Sequence, residues 1–69
     1  MSDKEFLTQL GQRIKAIRKE RKIPLTHIQE KKITDISNMS RIENGYVNPH
    51  IITLKKLADL YEVDITEFL

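Results

Sequence analysis

The run Ser40-Arg41-Ile42-Glu43-Asn44-Gly45, with Asn48-Pro49 three residues further on, restricts this chain to a fold of short, interrupted helices. It reads as the end of a helix, because Gly45 supplies the left-handed residue that stops one and a proline cannot continue one. Met39 and Ile42 are the core contacts of that helix, and Thr34 or Asp35 caps its start, so it should run to about Asn44. Asn48-Pro49 then opens a further helix, in which Ile51, Leu54, Leu57, Ala58 and Tyr61 keep the 3.6-residue period.

The preceding half follows the same period. Ser2-Asp3-Lys4-Glu5 has the form of a capping box, and Phe6, Leu7, Leu10, Ile14 and Ile17 recur at helical spacing after it. A first helix is expected from about residue 3 to about residue 21. Its face opposite the apolar stripe carries Lys15, Lys19 and Lys22, with Arg18 half buried on the flank. Pro24 pushes the residue before it out of the α region and so ends that helix. In a short second helix, either Pro24 occupies the first turn or Thr26 caps it with Gln29 closing a box; Ile28 faces inward and the end lies near Lys32. Asp64-Ile65-Thr66-Glu67 begins a final turn bearing Phe68 and Leu69. With no strand alternation, repeat or flexible linker, the expectation is an all-α protein: five helices in an orthogonal bundle forming one domain, 1–69.

Composition narrows the function. Folding a domain of 69 residues buries only about 60% of its unfolded surface, so partner contacts matter. The chain has no cysteine and two isolated histidines, which excludes a disulfide framework and a zinc tetrad; no metal or cofactor is expected. His27 and His50 lack a nucleophile or carboxylate at useful spacing and no glycine-rich phosphate loop occurs, so an enzyme is not expected. His27 reads as an exposed helix residue and His50 as a loop or first-turn residue. The charged start and the lack of a long apolar run suit a soluble cytoplasmic protein that does not enter a membrane. Charge is uneven: nine basic residues face four acidic ones through Lys32, a balance of +5, and three face six from Ile33 onward, a balance of −3. Such asymmetry suits one surface turned to a polyanion and another turned away.

The ordered set from Leu10-Gly11-Gln12-Arg13-Ile14, through Ser40 to Gly45 and Asn48-Pro49, to Val63-Asp64-Ile65-Thr66-Glu67-Phe68-Leu69 resembles the phage repressor and Cro-like helix-turn-helix domains, also called the XRE type. The resemblance covers nearly the whole chain. It implies that the third helix lies in the major groove of double-stranded DNA while the second braces it. It implies base-facing roles for Ile36, Ser37, Asn38 and Arg41, with Asn38 suited to adenine and Arg41 to guanine. Phosphate contacts would come from Thr26 at the start of the second helix, from Lys31 or Lys32, and from Asn44, Tyr46 and Asn48. Arg18 and Glu43 match a pair that locks the first helix to the end of the third, here expected to be buried. The implied function is a sequence-specific transcriptional regulator, a repressor occupying a palindromic operator as a homodimer. Tyr61, Phe68 and Leu69 are candidates for the dimer contact, although each could equally close the monomer core.

The chain departs from the family pattern around the turn. Leu25 replaces a glutamine that touches the DNA backbone, and Gln29 replaces a small alanine. Ile33 replaces the glycine of the turn, where a β-branched residue at positive φ would be strained. The turn must therefore take another shape, or the second helix must run on by a residue. Ile36 is apolar at a base-facing position, where it could meet a thymine methyl or pack with Ile33 and Met39; the second is the plainer reading. No basic residue lies between Asn44 and Leu54, where relatives often carry one, so phosphate anchoring there is weak. The alternative function is a helix-turn-helix scaffold used as a protein-interaction module or antitoxin, with Leu25, Ile33 and Ile36 as an exposed apolar patch for a protein partner.

Overall fold

Side-chain caps set the start of three of the five helical segments in the computed structural model, which describes Met1 to Leu69. Ser2 closes the expected capping box with Glu5 at the head of α1 (Asp3–Glu20). Asp35 caps α3 (Ile36–Glu43) by accepting the Asn38 amide at 2.7 Å. Asp64 accepts both the backbone amide and the hydroxyl of Thr66, at 2.9 and 2.8 Å, which holds its carboxyl below the usual carboxylate range. The segment it opens, Ile65–Phe68, is a single 3-10 turn. The fold thus has four α-helices and a closing turn, with no strand, and not the five helices expected.

The other two starts have no side-chain cap. Pro24 stands at the N-cap of α2 (Leu25–Glu30), so the box between Thr26 and Gln29 does not form and Thr26 lies inside the first turn. His50 occupies the same position before α4 (Ile51–Tyr61), so that helix begins just beyond Asn48-Pro49.

All four helices end in one way. A residue in the left-handed region follows each helix: Lys22, Lys32, Gly45 and Glu62, with φ of 57°, 59°, 75° and 59°. Its amide and the next one turn back to the carbonyls of the last turn, as in Lys32 to Gln29 and Ile33 to Ile28. This is the Schellman arrangement, which satisfies carbonyls that the helix leaves unpaired. Between α2 and α3 the strained position falls on Lys32, and Ile33 follows it with negative φ. The turn takes another shape because α2 stops early, and Ile33 escapes the strain that its place in the family pattern implied.

The core joins Leu10 and Ile14 of α1, Ile28 of α2, Met39 and Ile42 of α3, and Leu54, Leu57, Ala58 and Tyr61 of α4, with Phe68 closing it. Tyr61 and Phe68 meet edge to face, their centroids 5.9 Å apart. Both are fully buried, so neither is free to form the dimer contact considered for them. The Leu69 side chain remains exposed, while its carbonyl accepts Arg13 Nη1 at 2.8 Å. Ile51 is also exposed, contrary to the periodic expectation, because α4 turns its core stripe inward only from Leu54 on.

Both glycines of the chain lie where α1 meets the end of α3. A Cβ at Gly11 would stand 2.6 Å from the Glu43 carbonyl oxygen and also overlap that of Ile42; at Gly45 it would stand 2.7 Å from Thr8 Cα. These neighbours are backbone and cannot rotate away. Gly11→Ala should therefore cost about 1–3 kcal/mol or more, read as a lower midpoint in urea unfolding; an unchanged midpoint would show that the helices can separate freely.

Tyr61 carries the one buried side-chain polar atom without a partner, its hydroxyl. Burial raises its pKa, and the nearby negative charge of Glu43 adds to that, against the opposing effect of Arg18. Tyr61→Phe removes an unsatisfied group and should raise stability by about 1 kcal/mol. A lower thermal midpoint would contradict this.

Candidate nucleic-acid interface

Three core contacts fix how α3 rolls. Met39, Ile42 and Glu43 face inward, and at about 100° per residue the opposite stripe carries Ser37, Arg41 and Asn44. Ser37 and Arg41, one turn apart, are both exposed, and Arg41 has no carboxylate partner. Ile36 and Asn38 flank that stripe on either side and are half-buried. Ser37 and Arg41 thus share one outward strip of α3, with Asn38 at its edge and Ile36 nearer the core face.

Their hydrogen bonds divide them. Asn38 Nδ2 donates to Thr34 Oγ1 at 2.8 Å, so one of its two amide hydrogens is engaged before any ligand arrives. A bidentate contact with adenine has to use the remaining hydrogen and the amide oxygen. Ser37 and Arg41 have no such commitment. Ile36 is absent from the apolar residues packed against the core, whereas Ile33 packs there and Met39 is fully buried.

Gln29 supplies a contact that residue type and spacing do not reveal. Its side-chain oxygen accepts the backbone amide of Ile36 at 3.0 Å, tying α2 to the first residue of α3. An alanine at this site could not reach, so the tie depends on the length of the glutamine side chain. The signal was its length alone, and length does not specify a partner.

The residues expected at phosphates are scattered. Thr26 in α2 and Lys31 and Lys32 at its exit are exposed. Asn44 turns its amide back to the Ser40 carbonyl at 2.9 Å, making it first a cap of α3. Asn48 lines a groove with Asp3, Phe6 and Leu7, where the Asp3 carboxylate opposes an anion. Tyr46 is the exception among helix ends. The residue after each left-handed position is apolar or aromatic, and Ile23, Ile33 and Val63 pack on the core; Tyr46 instead remains 77% exposed. Its hydroxyl is available to an external acceptor.

What anchors the strip is the ion pair behind it. Arg18 Nε and Nη2 donate to the two Glu43 carboxylate oxygens at 2.6 and 3.1 Å, with the side chains 10% and 5% exposed. Arg18 is thus buried, more deeply than its flanking position implied. Its third arm, Nη1, donates to the Ile23 carbonyl at 2.9 Å, so one guanidinium joins α1, the chain leaving α1 and the end of α3. The hydrogen bond to Glu43 raises the Arg18 pKa against the lowering effect of burial. The other ion pair, Lys55 with Asp59, is exposed and within one helix, so it adds little.

The region expected to form a protein-binding apolar patch does not do so. Leu25 and Ile33 pack against the core and Ile36 is half-buried. No helix is long and apolar enough to cross a membrane, and no group of acidic, histidine or cysteine side chains is arranged to hold a metal ion.

Removing one partner of the buried pair leaves a charge unpaired in the interior. Arg18→Ala or Glu43→Ala should each cost about 3–5 kcal/mol by denaturant unfolding, and the Arg18→Ala, Glu43→Ala double variant should cost far less than their sum. Simple additivity would show that the two side chains act independently.

A model of the helix-turn-helix domain matches residues 11–69 of the chain. The immunity repressor protein of Bacillus phage phi105 is 39% identical over 57 residues, which are 83% of this chain and 40% of that protein. The chain thus spans two fifths of the length of this curated relative. The crystal structure of the DNA-binding domain of BldD is similar over 100% of this chain and 99% of its own, with a TM-score of 0.85 and 31% sequence identity.

Proposed function

This chain belongs to the helix-turn-helix domain family, and from that membership we propose that it is a sequence-specific DNA-binding regulator of transcription that represses by occupying an operator. The observation that carries the reading is the exposed strip of α3, on which Ser37 and an unpaired Arg41 stand opposite the buried Met39, Ile42 and Glu43. A helix fits the major groove, and a guanidinium there can donate to both O6 and N7 of guanine. The phage repressor and the BldD domain among its relatives support the same assignment.

Arg41 is the principal base reader, Ser37 assists it, and Asn38 contributes with its remaining amide hydrogen. Tyr46, Thr26, Lys31 and Lys32 contact phosphates, with Asn44 and Asn48 secondary because of their neighbours. The domain binds as a two-fold dimer on half-sites about 34 Å apart. Of the three residues considered for the dimer contact, Leu69 alone presents its side chain to solvent.

Duplexes selected from a random pool should yield a palindrome, and affinity for it should fall steeply with salt as phosphate counterions are released. Arg41→Ala should weaken that binding by about 1–3 kcal/mol and relax the preference at one base pair of each half-site, while Lys15→Ala leaves it nearly unchanged. Equal losses from both variants would make the basic face of α1 the reader. Absence of any salt-dependent binding would favour a protein-interaction role.

A further inference from the structure

The chain has three asparagines, and the backbone nitrogen that follows each one is different in kind. Asn48 precedes Pro49, whose ring nitrogen carries no hydrogen. Asn38 precedes Met39, whose amide is held in the first turn of α3, donating to the Asp35 carbonyl at 2.9 Å. Asn44 alone precedes a glycine, where no side chain shields the nitrogen, and it is exposed at the exit of α3. A backbone nitrogen that has lost its proton can attack the side-chain amide carbon of the preceding asparagine. The folded exit withholds that attack. With ψ of −1° the Gly45 nitrogen lies in line with the Asn44 nitrogen and turned away from Cβ, so the five-membered ring cannot close without rotation. Rotation is opposed by three hydrogen bonds: Gly45 N–H to the Ile42 carbonyl at 3.1 Å, Tyr46 N–H to the Arg41 carbonyl at 2.9 Å, and Asn44 Nδ2 to the Ser40 carbonyl at 2.9 Å. Gly45 is also seated on α1, where a Cβ would stand 2.7 Å from Thr8 Cα, and its φ of 75° favours glycine. The fold therefore retains the residue that makes the pair labile.

We infer that Asn44 is a site of spontaneous deamidation which the folded exit of α3 holds in check, so that opening of this exit converts it irreversibly to an acidic one. In the open chain the Gly45 nitrogen gives its proton to hydroxide and bonds to Asn44 Cγ. The Cγ–Nδ2 bond breaks, and Nδ2 takes up a proton and leaves as ammonia. Water then opens the cyclic imide and returns a proton to the Gly45 nitrogen. Opening at the side-chain carbonyl leaves aspartate; opening at the main-chain carbonyl leaves isoaspartate, in which the chain runs through Cβ. The net change is one water consumed and one ammonia released. Either product loses the Nδ2 donor to Ser40 and puts negative charge at a helix C-terminus, where unpaired carbonyls already carry partial negative charge. Isoaspartate also lengthens the backbone beside the close seat of Gly45 on Thr8. The covalent step is independent of DNA. Its effect on binding rests on the DNA-reading role proposed above, since Asn44 shares the outward stripe with Ser37 and Arg41 and a carboxylate there repels phosphates.

The test follows the full chain in mildly alkaline buffer, with and without unfolding urea, by mass spectrometry of its peptides. In urea, exchange of NH2 for OH should accumulate at Asn44, with Asn38 and Asn48 unchanged. The folded chain should convert at least about tenfold more slowly, because reaction passes through the open fraction. Gly11→Ala, which loosens the seat of α3 on α1, should speed conversion of the folded chain several-fold, and urea just below the unfolding transition should do the same to the unaltered chain. Asn44→Asp should bind the selected duplex about threefold or more weakly. No conversion of Asn44 in urea, or equal conversion at Asn38, overturns the site. Equal rates with and without urea overturn its protection by the fold. Wild-type affinity in Asn44→Asp overturns the effect on binding. Recovery of no preferred duplex by the unaltered chain overturns the DNA-reading role and leaves the covalent step standing.

Discussion

The placement of α3 depends on how closely the backbone of α1 can approach the last turn of that helix. Two glycines make the approach sterically possible, one on each side of the contact: Gly11 against the Ile42 and Glu43 carbonyls, and Gly45 against Thr8. A buried ion pair then fixes the orientation that the glycines permit. The two constraints are different in kind. Absence of a side chain sets the distance, whereas the paired geometry of guanidinium and carboxylate sets the angle, because two parallel hydrogen bonds resist rotation. Arg18 extends the same restraint to the Ile23 carbonyl. The outward strip of α3 is therefore defined from behind, by contacts on the opposite face of the helix.

The turn before α3 is governed by helix termination. α2 has only six residues, and it ends by the same left-handed geometry as its three neighbours. That geometry puts Lys32 where a glycine would be easiest and frees Ile33 to pack on the core. Gln29 then reaches across to the head of α3. The early stop and the side-chain tie thus accommodate Ile33 and Gln29, and α3 keeps its outward strip.

Helix periods, the cap at Ser2, the stop at Gly45 and the pairing of Arg18 with Glu43 were legible in the sequence, because each depends on residue type at a fixed local spacing or on a matched pair in the family. What escaped depended on three-dimensional choice. Lysine and glutamate carry no signature of a left-handed conformation, so the stops at Lys22, Lys32 and Glu62 could not be read. Tyr61 and Phe68 have the same composition whether they close a core or cover a partner, and only the path of Ile65–Phe68 decides for the core. Gly11 appeared as part of a motif, yet its reason, a crossing backbone, lies more than thirty positions away in the chain. Along α3, only the family resemblance pointed to Ser37 and Arg41, and the engagement of Asn38 by Thr34 and of Ile36 by Gln29 depends on how the folded chain brings α2 and α3 together.

The left-handed helix ends also bear on how this domain can change over time. Each of Lys22, Lys32 and Glu62 holds a conformation that L-residues adopt at a cost of roughly 1–2 kcal/mol, a cost that glycine largely avoids. Lys22 and Glu62 lie at the exits of α1 and α4, remote in sequence from the strip on α3. The domain therefore keeps a latent margin at sites where exchange leaves the strip untouched. A small fold can tolerate few destabilising changes at once. With that margin in reserve, a destabilising exchange on the outward strip of α3 can be offset at a helix exit, without any change of core.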